Sequence, residues 1–345
     1  MNEISLEANQ AIDEKKVHYS GLEVCLPAKI FGVVNHELNI YFSTILNKGI
    51  NNYYIKVKSD RGTHESRRWT YIPSEAEIFE ITIELYDDNG KFITSKSSLV
   101  IIQAETVGRR ITKTAVVIGD STVNANKITK RMLNNFSTDP MNLKLIGSRG
   151  FAPNLHEGRG GWAAATFRTD QEVDGKINPF YNEAASDFDF AHYINSNAYK
   201  VPDYMFIHLG INDTFLEESD SAINEKIEKM LLDYDFIIDN IKSYDSNIKI
   251  ALDVTIPANV NQDAFGVNYG CLQTQWRYKR NNFMWIKRMI DYYDGREEES
   301  IYIVPTHLNI DPVLGFPVDN AVHPNEHGYN QIGDAMYYFI KSFEE

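Results

Sequence analysis

Cysteine is nearly missing from this chain. Its 345 residues hold two, Cys25 and Cys271, which excludes a disulfide framework and a thiolate metal cluster. The expectation is two unpaired thiols and a fold that does not rely on oxidation. Long apolar runs are missing as well, since none approaches the ~18 residues that a membrane-spanning helix needs. The opening Met1-Asn2-Glu3-Ile4-Ser5 has neither the basic nor the apolar region of a secretory leader. Residence in the cytoplasm, association with a virion, and a mature secreted form all stay open. Positive charge is in deficit: 34 Lys and Arg face 48 Asp and Glu, a net charge of -14. Such a balance disfavours a nucleic-acid partner, because phosphate backbones are bound by surplus lysine and arginine. It also repels strongly anionic substrates at a distance, although a local basic pocket can override that. Internal repeats and low-complexity tracts are absent, and Glu297-Glu298-Glu299 reads as a solvated loop.

What is present points to a folded protein. Apolar residues make up 43% and charged residues 24% of the chain, ordinary for a globular protein. Its 20 Tyr, 18 Phe and 4 Trp argue against disorder, and the length allows one large domain or two ordinary ones. From about residue 20 to 105 the pattern has period two. Tyr53, Ile55 and Val57 alternate with polar neighbours, as do Phe79, Ile81, Ile83 and Leu85, the mark of strands with one buried face. Asn89-Gly90 between two such runs signals a hairpin with a type I′ turn. No helical period shows there, so a small all-β sandwich of the immunoglobulin-like sort is expected. Residues 104–112 read as a linker. Beyond it, short β-branched runs at 114–118, 204–209, 248–256 and 301–304 alternate with helical patterns at 224–244, 273–293 and 325–343. That alternation predicts an α/β unit, a parallel sheet covered on both faces. The expected domains are residues 1–108 and 109–345.

Four short stretches carry chemistry: Gly119-Asp120-Ser121, Gly160-Gly161-Trp162, Gly210-Ile211-Asn212-Asp213 and Asn320-Ala321-Val322-His323-Pro324. A nucleophile, a base and oxyanion donors are what acyl transfer requires. Ser121 follows a buried strand and precedes a helix start, where an open α/β sheet binds ligands and where developing negative charge is favoured; a plain N-cap serine is the alternative. His323, before a proline able to open a helix, can take the serine proton and return it to a leaving alcohol, or simply cap and pack. Asn212 can donate its side-chain amide to an oxyanion, or serve turn chemistry. Gly161 offers a backbone amide, because glycine lets the chain approach a ligand. Trp162 either walls the substrate pocket or is a structural tryptophan.

In this order the four stretches resemble those of the SGNH (GDSL-like) hydrolases, over roughly residues 112–345. The resemblance implies a three-layer α/β/α flavodoxin-like domain and ester hydrolysis through an acyl-serine. It assigns Ser121 as nucleophile, His323 as base, and the Ser121 amide, the Gly161 amide and the Asn212 side chain as oxyanion hole. Asp120 then reads as a loop-fixing residue. The family usually has an aspartate three residues before its histidine; here that residue is Asn320, with Asp319 one position earlier. Asn320, Asp319 or a main-chain carbonyl would orient the ring. No cofactor is expected. Nor is a metal: His323 and His327 are spaced i, i+4, but Glu326 between them does not complete His-Glu-x-x-His.

The expected activity is a serine esterase removing small acyl groups, acetyl above all, from a carbohydrate. That substrate rests on the resemblance, since relatives with an added β-sandwich are often carbohydrate esterases, and on aromatics near the motifs (Trp162, Tyr269, Trp276) that suit sugar rings. A lipase fits less well without a long apolar lid, and thioesterase or arylesterase activity stays open. The rival class is a glycan-binding or structural protein, on a virion or cell surface, that keeps the fold without turnover.

Overall fold

The computed structural model describes residues 21–344. The first twenty residues, which carry the leader expectation and begin the 1–108 unit, and Glu345, which closes the 109–345 unit, lie outside the described residues. Both cysteines are free, Cys25 buried and Cys271 exposed. Among the described residues no helix is long and apolar enough to cross a membrane.

The first region consists of strands β1 (Lys29–Val33), β2 (Leu38–Tyr41), β3 (Tyr54–Lys58), β4 (Thr63–His64), β5 (Arg68–Tyr71), β6 (Glu77–Tyr86) and β7 (Phe92–Gln103). They form a four-stranded sheet in the order β1-β7-β6-β3 and a three-stranded sheet β2-β5-β4. Most pairs are antiparallel, but β1 runs parallel to β7. Period two is obeyed on β6, where Ile81, Ile83 and Leu85 are fully buried. These side chains and Trp69 of β5 belong to one apolar cluster, with the Trp69 and Phe79 rings 6.3 Å apart. Two features depart from expectation. A short helix, Phe42–Ile45, and a 3-10 turn, Ile50–Asn52, interrupt the strands. The Asn89-Gly90 hairpin exists but is not type I′, because only Gly90 has positive φ. The Asp87 carboxylate accepts the amides of Asn89 and Lys91 at 3.0 and 2.8 Å, which holds a longer turn instead.

The second region is built on β8 (Thr112–Gly119), β9 (Asn142–Leu145), β10 (Arg149–Phe151) and β11 (Asn154–Gly158). Two small ladders follow, β12 (Glu172–Val173) with β13 (Lys176–Ile177) and β14 (Tyr181–Asn182) with β15 (Asp187–Phe188). Then come β16 (Tyr204–His208), β17 (Lys249–Asp253) and β18 (Ile301–Val304). Strands β9, β8, β16, β17 and β18 are parallel neighbours in that order. Past β9, β11 takes over the same edge of β8, parallel to its last residues.

Alternate residues of these strands enter two separate cores. Ala115, Val117, Phe206 and Ala251 join one with the helices Lys127–Thr138 and Glu326–Lys341. Val116, Ile118, Ile207 and Leu252 join the other with the helices Asp220–Tyr244 and Gln275–Tyr293. Helices therefore cover both faces, which is why these strands read as continuous apolar runs. Strand order reverses at β8, since the chain goes from β8 to β9 on one side and reaches β16 on the other. The crevice at the carboxyl ends of β8 and β16 is the place where such sheets bind ligands.

Candidate active site

Ser121 is the second residue past the strand end at that switch point. Strand β8 ends at Gly119, and Asp120 caps the short helix Ser121–Asn124 by accepting the Thr122 amide at 2.8 Å and the Thr122 hydroxyl at 2.7 Å. A Cβ on Gly119 would lie 2.3 Å from Val123 Cγ2, so only glycine lets the serine turn fold back onto its strand. Asp120 thus holds the turn.

His323 arrives from the far end of the chain. Its Nε2 lies 2.8 Å from Ser121 Oγ. Its Nδ1 lies 3.3 Å from Asn320 Oδ1, the same oxygen that accepts the amides of Val322 at 3.2 Å and His323 at 2.9 Å. Those two amides can only donate, so the group facing the ring is the acceptor oxygen. Nδ1 must then carry the hydrogen, which leaves Nε2 as the acceptor for the serine O–H. Asp319 is exposed, and it is its main-chain carbonyl that is engaged, by Asn268 Nδ2 at 3.0 Å. Burial lowers the His323 pKa below the ordinary histidine value, and the Asp120 charge opposes that shift. The neutral ring is the form able to accept a proton.

The expected oxyanion donors Gly161 and Asn212 lie just past the carboxyl ends of the strands flanking β8. On one side β11 leads into Gly160-Gly161, and a Cβ built on Gly160 would sit 3.7 Å from Ser121 Cβ. Gly161 has φ +85°, a conformation that turns its amide in a way L-residues rarely adopt. On the other side β16 leads into Asn212, whose Nδ2 donates to the Trp162 carbonyl at 2.9 Å. One amide hydrogen is so committed, and the second is left over for a ligand. Trp162 itself is buried, with its indole 4.8 Å from the Phe167 ring and the Arg159 guanidinium 5.2 Å over it. Its carbonyl serves the site while its ring serves the core. Of the other aromatics, Tyr269 packs on Phe215 at 5.0 Å and Trp276 lines a cleft against the first region.

Two supports escaped the sequence reading. Asp213 is buried and accepts the Ala164 amide at 3.1 Å, so neighbouring residues 212 and 213 clamp the Gly160–Ala164 loop together. Burial raises the Asp213 pKa to about 7. Arg159, just before the glycines, is buried with Glu157 at 2.8 Å and also donates to the Ile177 carbonyl at 3.1 Å. The available signal was a charged pair, Glu157-x-Arg159, inside a stretch of buried strand; burial of a charge becomes visible only in three dimensions.

No protein-family model and no curated protein matches this chain. Solved structures do. Est24, a carbohydrate acetylesterase from Sinorhizobium meliloti, is 10% identical over 66% of this chain and 98% of its own, with a TM-score of 0.40. A GDSL-like lipase from Bacteroides thetaiotaomicron is 14% identical over 66% and 87%, with a TM-score of 0.38. The lipase Lip_vut3 from a goat rumen metagenome is 12% identical over 65% and 95%, with a TM-score of 0.40. Likenesses this slight assign neither activity nor substrate to the chain.

Proposed function

We propose that this chain is a serine esterase acting on small acyl esters, acetyl esters of a carbohydrate above all. The observation that carries the reading is the relay from Asn320 Oδ1 to His323 Nδ1 and from Nε2 to Ser121 Oγ, 2.8 Å apart at the last step. Ser121 Oγ attacks the acyl carbon while its proton passes to His323 Nε2. Negative charge on the carbonyl oxygen is met by the Ser121 and Gly161 amides and by the spare hydrogen of Asn212 Nδ2. Collapse expels the sugar alcohol, which takes the proton from Nε2 and leaves an acyl-serine. A water molecule, deprotonated by the same ring, then releases the acid and restores the hydroxyl. Residues 1–108 we take as a β-sandwich domain of the immunoglobulin-like kind, supported by the two sheets whose side chains share one apolar cluster, and 109–345 as the hydrolytic domain.

The test is hydrolysis of 4-nitrophenyl acetate by wild-type and Ser121→Ala protein. Loss of the nucleophile should cost roughly 10³-fold or more in kcat. Equal rates for the two proteins would overturn the esterase reading. Acetate release from a panel of acetylated polysaccharides then identifies the alcohol.

A further inference from the structure

A cavity of about 650 Å³ lies where the first region meets the second, and neither Ser121 nor His323 lines it. Its walls come from residues just after β2, from Arg67, from the loop at Pro312 and from the first turns of the helix Gln275–Tyr293. The volume falls in the ~300–1,000 Å³ range of small-molecule sites.

Its charge is the reverse of the molecule's. The chain has a net charge of -14, yet among the described residues the lining includes Lys48, Arg67 and Lys279 and no aspartate or glutamate. Arg67 is fixed by a bidentate pair with buried Asp311 at 3.0 and 3.1 Å. Lys279 differs: it is half-buried and its Nζ donates to the Lys48 carbonyl at 3.2 Å. Among the described residues no carboxylate pairs with it, and burial alone pulls its pKa down to about 8. A partly buried ammonium that faces a cavity and has no carboxylate partner among the described residues is relieved by an anionic ligand. One turn away stands Trp276, 58% exposed and lining the same cavity. The Arg280 guanidinium, 5.2 Å from the ring centroid, braces this indole. An exposed, braced indole is a platform for an apolar ring face, and Gln275 and Asn51 add amides of the kind that pair with hydroxyls.

We infer that this cleft binds an acidic saccharide, a uronate-type residue whose ring lies on Trp276 and whose carboxylate meets Lys279. The site goes beyond the hydrolytic reading and stands without it, because binding here involves no step at Ser121.

The test is calorimetric titration of the full chain with trigalacturonate at low salt, with neutral galactotriose and with sodium acetate in parallel. Ser121→Ala protein is used throughout so that turnover cannot blur the signal. The uronate should bind saturably, and both the neutral sugar and acetate at least ~10-fold more weakly. Trp276→Ala and Lys279→Met should each weaken uronate binding ~10-fold or more, whereas Lys279→Arg, which keeps the charge, should retain it. Melting temperatures check each variant's fold; if Lys279→Met does not fold, Trp276→Ala and Lys279→Arg decide. Absence of saturable uronate binding, undiminished binding in folded Trp276→Ala, or equal affinity for acetate or the neutral sugar would each overturn the inference.

Discussion

Asn320 Oδ1 accepts two backbone amides and faces the histidine ring as well. One uncharged oxygen therefore shapes the turn and sets the tautomer of the ring we propose as base. An asparagine here cannot balance an imidazolium with a full charge, as an aspartate would. Burial has already lowered the His323 pKa, and a base acts in its neutral form. The kcat/KM profile should therefore stay flat as pH falls to the ordinary histidine value of ~6.5 and drop only below it. Asn320→Asp would place a carboxylate beside Nδ1, favour the charged ring and move that acid limb upward by ~1–3 pH units. Asn320→Ala should lower kcat/KM by roughly 10²-fold or more, while Asp319→Ala, at an exposed carboxylate, should leave it within about twofold. Pre-steady-state and pH-rate measurements on the three variants check this ordering, and equal severity at 319 and 320 would count against it.

At the scale of elements, Ser121, Gly161 and Asn212 follow the carboxyl ends of β8, β11 and β16, three neighbouring strands. That arrangement was legible for Ser121 and Asn212, whose motifs follow the short runs 114–118 and 204–209, and a parallel sheet gathers such ends on one side; β11, with the sequence Asn154–Gly158, gave no such run before Gly161. The Asn320-His323 turn was legible through its spacing and through Pro324. What stayed hidden depends on burial across distant segments. Glu157 and Arg159 look like surface charge in a linear string, yet both are enclosed. Trp162 had two readings in the sequence that only packing could separate, and Asn89-Gly90 promised a turn that the Asp87 carboxylate changed. Asp213 belongs to the same hidden set and yields a prediction about stability. Its folded-state pKa, raised to about 7 by burial, lies above the unfolded value of ~3.9. Between these values the folded protein holds a proton that the unfolded chain has lost, so this residue's contribution falls as pH rises from about 4 to 7. Asp213→Asn keeps an acceptor for the Ala164 amide and removes the titration. The difference in melting temperature between variant and wild type should widen in the variant's favour, by a few degrees, from pH 4 to pH 8. A constant difference in a pH-series of thermal melts would refute the assignment.

At the scale of the molecule, the two regions are distinct along the chain but share a single apolar cluster, in which Leu38, Ile40 and Ile102 appear with Val117, Tyr338 and Phe339. Phe31 of β1 packs on Phe339 at 5.6 Å, and Asn39 donates its amide to Asn309 Oδ1 at 3.1 Å. The connecting turn is held by Lys341, whose fully buried Nζ donates to the carbonyls of Glu105 and Val107 at 2.9 and 2.7 Å and to Asp139 at 2.8 Å. Lys341→Met would leave the buried Asp139 carboxylate without its cation, at a cost of ~3–5 kcal/mol. Because the core is continuous, calorimetry should show one cooperative transition displaced to lower temperature, not a split into two. Adding Asp139→Asn should recover part of the loss.

The shared core also constrains how the chain is made. The apolar face around Phe31 is closed by the helix Glu326–Lys341, which begins 223 residues after β7 ends at Gln103. At ~5–20 residues per second, a ribosome needs ~11–45 s to cover that distance. Throughout that interval the apolar patch around Phe31 lacks the helix that closes it, so the nascent chain carries exposed apolar surface until the last helix arrives.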